Sequence, residues 1–229
     1  MSSTPKRAGG TLVAGILVVA VVGVGAYFIN LAATKRSASV TTADCAGANF
    51  SAPLGPLDQP SSVHHYSKQP PFTIDTQRLY QATISGPKGD IVICLVPGWA
   101  PVTVNNFVTL ARNHYFDGLL WARDPSSAPG GPVIQGGSPN NNLTGGPGFL
   151  FKDEPVTSPL YKSGSYQPGA VAMANSGSNT NGSQFFITVA SFTLPASYNL
   201  FGEVISGLDV AGRVRQGDRM SITVQEQLP

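Results

Sequence analysis

From Ala8 to Thr34 the chain carries no charged side chain, and within that stretch Thr11–Ala33 is almost wholly apolar. Few structures can accept such a run. A bilayer core of about 30 Å needs about 20 apolar residues in a helix, so the segment is long enough to span. Its valines and glycines are poor helix formers in water, but lipid leaves no partner for an unpaired backbone group and imposes the helix. A buried core helix fits badly, because core helices of this length are seldom apolar on every side. The rival is a cleaved signal peptide, whose apolar region is usually about 7–15 residues. Asp44 precedes Cys45, which argues against a lipoprotein. The expectation is an uncleaved transmembrane helix at 11–33. Lys6 and Arg7 before it nearly balance Lys35 and Arg36 after it. The short leading tail (1–10) with its free amine favours an N-terminus inside, and hence a domain facing outward.

Beyond the span, charge is scarce. Charged residues make up 11% of the 229 and the net charge is +2, against about 25% charged in ordinary soluble domains. With no dense Lys/Arg run, nucleic acid is a poor candidate partner, and neutral, extended peptide a better one. The two cysteines, Cys45 and Cys94, match no zinc spacing. They could pair in an oxidising compartment; otherwise one is a free thiol in a linker and the other is buried in a strand.

Residues 34–76 are rich in Ser, Thr, Ala, Pro and Gly and hold no period, so they read as a flexible linker. His64 and His65 within it are expected to be solvated, with no third ligand near; no metal or cofactor is expected. From 77 onward the pattern changes. Alternating runs at 78–86 and 90–96 flank Pro87-Lys88-Gly89 as a hairpin. Apolar residues at helical spacing predict a helix over 102–116. Short strands are predicted at 119–123, 132–136, 168–174, 184–190, 198–205 and 221–225, with a second helix at 207–214. Many short strands with Gly-rich connections suggest a closed or nearly closed antiparallel barrel, and the long 138–167 loop suggests function.

The stretch MANSGSNTNGSQFFITVA (Met173–Ala190) follows from no propensity rule. A polar run between apolar ends is what a peptide groove needs: Asn175 to meet extended backbone, an amide at Gln184, an apolar wall at Phe186. It closely resembles the central signature of the cyclophilins, and the resemblance extends over Leu79–Gln225. PVTVNNFVTLARNHYFDGLLWAR (101–123) is similar to the family's first helix and a following strand ending in Phe-His-Arg, here Trp121-Ala122-Arg123. VIQGG (133–137) resembles the next strand, with Gln135 at the groove glutamine. LPASYNLFGEVISGLDV (194–210) resembles the closing strand and second helix, with Leu194 at a pocket leucine and Tyr198 at a position often held by His or Tyr.

The resemblance implies a mainly β, closed eight-stranded antiparallel barrel with two flanking helices over residues 77–229. It also implies a peptidyl-prolyl cis/trans isomerase, acting as a monomer on proline-containing segments of unfolded or exported proteins. Arg123 and Gln184 would be catalytic; Gln135, Val133, Ala174, Asn175, Ser176, Phe186, Leu194 and Tyr198 would bind substrate. Departures are visible. The link after Arg123 is a longer, Pro/Gly-rich DPSSAPGGPVI, the pocket Phe-Met pair is replaced by Pro132-Val133, and the pocket tryptophan is missing, with Phe192–Thr193 nearby. A pocket with fewer large side chains is therefore expected. The alternative is a non-catalytic peptide-binding chaperone or scaffold module on the same fold.

Overall fold

A computed structural model describes residues 42–57, 64–127 and 130–229. The expected tail and membrane span lie outside these residues. Among the described residues, no helix is long and apolar enough to cross a membrane.

The elements in chain order are α1 (Thr42–Gly47), β1 (Tyr80–Gly86), β2 (Gly89–Leu95), α2 (Pro101–Arg112), β3 (Val133–Gly136), β4 (Tyr161–Lys162), β5 (Ser165–Tyr166), β6 (Ala170–Met173), β7 (Phe185–Thr188), β8 (Phe192–Thr193), β9 (Leu200–Ser206), α3 (Leu208–Arg213) and β10 (Ser221–Glu226). Seven strands form one antiparallel sheet in the order β10-β1-β2-β9-β6-β7-β3, and β4-β5-β8 form a second, small sheet. The β1–β2 hairpin closes on Pro87-Lys88, with Gly86 paired to Gly89.

The predicted eight-stranded closed barrel is corrected to this curled seven-stranded sheet. The segment 119–123, predicted as a strand, makes only isolated bridges, Leu120 to Arg219 beside β10 and Arg123 to Gln135 on β3. The reason lies in its hydrogen bonds. Both the Ala122 and Arg123 N–H groups donate to the single Gln135 carbonyl, at 2.8 and 3.1 Å, while Gln135 N–H donates back to the Arg123 carbonyl at 3.1 Å. Two residues oppose one, as in a β-bulge, and the ladder breaks.

Strands β6 and β7 are buried throughout because each serves two cores. Val171, Met173, Phe185 and Ile187 enter the main core with Phe107, Phe116 and Phe201. Ala170, Ala172 and Phe186 enter a second cluster with Val133, Tyr166 and Leu200. Period-two alternation divides the side chains this way, and a slip of one residue would exchange them.

The helix α2 ends at Arg112, four residues before its predicted end, because His114 takes a left-handed φ of 58°. Its N-terminus has no cap from its own sequence. Glu154 supplies one from the long loop: its carboxylate accepts from Val102 N–H (3.0 Å) and from Thr103 N–H and Oγ1 (2.8 and 2.6 Å). An acceptor with negative charge is what the unpaired N–H groups there require.

The expected linker is not free where it is described. Residues 49–54 run along the outer edge of β10: Ser51 N–H donates to Glu226 O at 2.9 Å and Leu54 N–H to Val224 O at 2.7 Å. Further on, Thr73 N–H donates to Asn105 Oδ1 at 2.8 Å and Tyr66 N–H to Pro147 O at 2.7 Å. His64, expected in solvent, sets its ring edge-on to Tyr115 at 5.4 Å. Cys45 and Cys94 are joined as a disulfide, with Cα atoms 6.1 Å apart and both side chains buried.

Candidate active site

The bulge at Ala122–Arg123 decides where the arginine points. Trp121 is buried in the main core, and strict alternation would send Arg123 to the same side. The extra residue turns it to the opposite face instead. Across from it, β3 alternates likewise: Ile134 enters the main core, while Val133 and Gln135 face outward beside Arg123.

A cavity of about 300 Å³ results, lined by Arg123, Gly130, Val133, Gln135, Leu143, Ala174, Asn175, Phe186, Phe192, Leu194 and Tyr198. Eight of the ten residues expected from the sequence meet here: Arg123, Val133, Gln135, Ala174, Asn175, Phe186, Leu194 and Tyr198. The other two, Ser176 and Gln184, line an adjoining cavity of about 400 Å³ with Thr144, Gly145, Leu150 and Thr180. Gln135, Leu143, Ala174 and Asn175 border both cavities and form the saddle between them.

The floor of the first cavity is aromatic. Phe186 stands edge-on to Tyr198 at 5.5 Å and to Tyr166 at 5.9 Å. Tyr166 is fully buried below; its hydroxyl donates to the Tyr198 carbonyl (3.0 Å) and accepts the Tyr198 N–H (3.2 Å). Burial pushes the Tyr166 hydroxyl pKa above its ordinary value, so it remains a donor. Phe192, which the sequence reading placed near the pocket without making it a site residue, supplies a further ring. Leu143 and Gly130 were also missed; both lie in loops, where no period marks an inward-facing residue.

The unusual link after Arg123 is built against the site. A Cβ at Gly130 would meet Arg123 Cδ and Nε at 3.0 Å, and one at Gly131 would meet the Phe192 ring at 2.3 Å. The link starts at Asp124, whose Oδ1 accepts from Ser126 Oγ (2.6 Å) and N–H (2.9 Å) and whose Oδ2 accepts from Gln216 N–H (3.2 Å). The Ser126 hydroxyl, followed by the Gln216 N–H, holds the Asp124 carboxyl down at about 2. Among the described residues, no carboxylate pairs with Arg123.

Gln184 is placed by two hydrogen bonds. Its Oε1 accepts from Gln135 Nε2 at 3.1 Å and its Nε2 donates to Gly145 O at 2.9 Å. It therefore fixes Gln135 and the loop at Gly145 together. Asn175 is held by its own side chain, which donates to Ser197 O at 2.8 Å and accepts from Gly177 N–H at 3.2 Å. Among the described residues, no cluster of three His, Cys, Asp or Glu side chains could hold a metal ion.

The arrangement is a pocket with Val133, Phe186, Phe192 and Leu194 on its walls, one cation beside them and amides along a saddle. Among the described residues it offers no nucleophile–base pair, and it is suited to gripping an extended peptide by an apolar ring while a guanidinium meets its backbone.

Comparisons with known proteins agree. The model of the family described as cyclophilin type peptidyl-prolyl cis-trans isomerase/CLD matches residues 79–227. Peptidyl-prolyl cis-trans isomerase B of Streptomyces anulatus is 42% identical over 144 residues, 56% of this chain and 77% of that protein. Peptidyl-prolyl cis-trans isomerase 9 of Schizosaccharomyces pombe is 42% identical over 139 residues, 60% of this chain but only 22% of that longer protein. A crystal structure of a Cryptosporidium parvum cyclophilin type peptidyl-prolyl cis-trans isomerase in the presence of the dipeptide Ala-Pro aligns with a TM-score of 0.54 and 26% identity, covering 63% of this chain and 98% of that one.

Proposed function

The chain belongs to the cyclophilin-type peptidyl-prolyl cis-trans isomerases, and on that premise we propose that it accelerates X–Pro rotation in unfolded or exported proteins from outside the cytoplasm. The observation that carries the reading is the placing of Arg123 on the wall of the Val133–Phe186–Leu194 pocket.

An X–Pro bond rotates over a barrier of about 18–20 kcal/mol because the amide is partly double-bonded. No bond breaks, so no nucleophile, acid, base or metal is required. Twisting removes resonance and localises a lone pair on the prolyl nitrogen. The Arg123 guanidinium, a planar cation with several donors, stabilises the twisted amide more than either planar isomer. Val133, Phe186, Phe192, Leu194 and Tyr198 hold the ring. Gln135 and the Ala174–Ser176 backbone hold the flanking chain. Gln184 acts on the reaction through Gln135.

Placement outside the cytoplasm is supported by the Cys45–Cys94 disulfide, since such bonds persist in oxidising compartments. It is also supported by the uncharged Thr11–Ala33 run, read as a single-pass anchor. A monomer is favoured because residues 49–54 cover the β10 edge and Arg123 occupies β3. The non-catalytic alternative rests on the altered link after Arg123, and the placing of Arg123 on the pocket wall favours the catalytic reading. The test is exchange NMR on a short Xaa-Pro peptide: catalysed exchange that disappears in Arg123→Ala supports the reading, and unaccelerated exchange contradicts it.

A further inference from the structure

We propose that Leu143 is a specificity-determining residue that favours an apolar side chain immediately before the substrate proline. The inference rests on the proposed function, which seats the proline ring in the Arg123–Phe186 pocket.

Leu143 is an apolar side chain left 45% exposed. A scattered exposed leucine needs no explanation, but this one borders both cavities, at the saddle with Gln135, Ala174 and Asn175. Any extended peptide that fills the first cavity and continues into the second passes its side chain at this point. The residue crossing the saddle is the proline's immediate neighbour, because adjacent residues of an extended chain stand only about 3.3–3.6 Å apart, and the proposal assigns it to the preceding one.

The loop that carries Leu143 is tied to itself and to Leu120. Ser138 Oγ donates to the Thr144 carbonyl, Asn142 Oδ1 accepts from Thr144 N–H and Oγ1 at 2.7 Å each, and Asn141 Oδ1 accepts from Leu120 N–H at 2.8 Å. Asn141 adopts a left-handed φ of 55° within it. Leu143 is thus held over the saddle by hydrogen bonds on both sides of it.

Charge points the same way. Among the described residues lining the two cavities, Arg123 is the one side chain ionised at neutral pH, and it lines only the first. A cationic residue at the saddle finds no partner of opposite sign among these side chains, and a residue of either charge loses hydration against Leu143. An apolar one gains contact. The expected preference is modest, about fivefold to tenfold in kcat/KM for Leu over Glu or Lys, in keeping with the limited discrimination of apolar contacts.

The experiment measures kcat/KM by exchange NMR on the full chain for Ala-Xaa-Pro-Ala peptides with Xaa Leu, Glu or Lys. A matched series varies the residue after the proline. Leu143→Asn is expected to bring the Leu:Glu and Leu:Lys ratios close to one, and Leu143→Met to restore them. The proposal is overturned if the ratios are the same in the wild type and Leu143→Asn, or if the preference belongs to the residue after the proline. Absence of any Arg123-dependent acceleration on every peptide is a different result, and contradicts the proposed function itself.

Discussion

Gly131 and Phe192 fit together only because Gly131 has no side chain: a Cβ there would lie 2.3 Å from the ring's Cζ. Gly131 also holds φ at +72°, a conformation glycine adopts at little cost. The Pro/Gly-rich link after Arg123 thereby becomes a close-packed backing for the ring that walls the pocket.

Gly131→Ala is accordingly expected to displace Phe192 and lower kcat/KM by about tenfold, or about 1.4 kcal/mol. The clash is specific to the ring, so the same substitution made in a Phe192→Ala background should cost much less. Equal costs in both backgrounds would show that backbone strain alone is responsible.

Gln135 and Gln184 share a hydrogen bond of 3.1 Å at the border of the two cavities. If Gln184 acts through Gln135, single alanine variants should each reduce kcat/KM, and the double variant should lose less than their sum. A coupling of about 0.5–1.5 kcal/mol is expected. Strict additivity would indicate that Gln184 contributes only through Gly145.

Asp124 anchors the link with its carboxyl depressed to about 2 by the Ser126 hydroxyl and the Gln216 N–H. The folded value lies below the unfolded one of about 3.9, so the ionised group stabilises the fold above that pH, and the contribution is lost as pH falls through about 2. Wild type should melt higher than Asp124→Asn at pH 7, and the gap should narrow from about pH 4 and close near pH 2. A gap independent of pH would mean that the charge plays no part.

The disulfide spans a sequence separation of 49 and fastens the N-terminal segment to β2. Loop-closure entropy for a loop of that size corresponds to at most about 4 kcal/mol. Replacing both cysteines with serine should lower stability by about 2–4 kcal/mol, read by denaturant unfolding, while leaving Arg123-dependent catalysis measurable. Unchanged stability would place the segment's anchoring in its hydrogen bonds to β10 alone.

Where a side chain's role follows from alternation, the sequence reveals it. The Tyr80–Gly86 hairpin strand and the outward Val133 and Gln135 of β3 are of this kind. The run Gln184-Phe185-Phe186 is legible only in part, because both phenylalanines are apolar and each faces a different core. The Arg123 bulge is invisible to pattern, since it depends on two N–H groups sharing one carbonyl. The described parts of the 34–76 segment look like a free tether because single bonds, such as Asn105 to Thr73, fasten them rather than a periodic face. Tyr161–Lys162, Ser165–Tyr166 and Phe192–Thr193 are too short to show any alternation at all.

The central claim is that Arg123, turned outward by the bulge, stabilises the twisted X–Pro amide. Exchange NMR on an Ala-Xaa-Pro-Ala peptide with the full chain and its Arg123→Ala variant tests it most directly. The account predicts acceleration by the wild type, a loss of about 10²–10³ in kcat/KM on removing the guanidinium, and peptide-induced shifts at Phe186 and Leu194 in both proteins. Acceleration that survives in Arg123→Ala would contradict it.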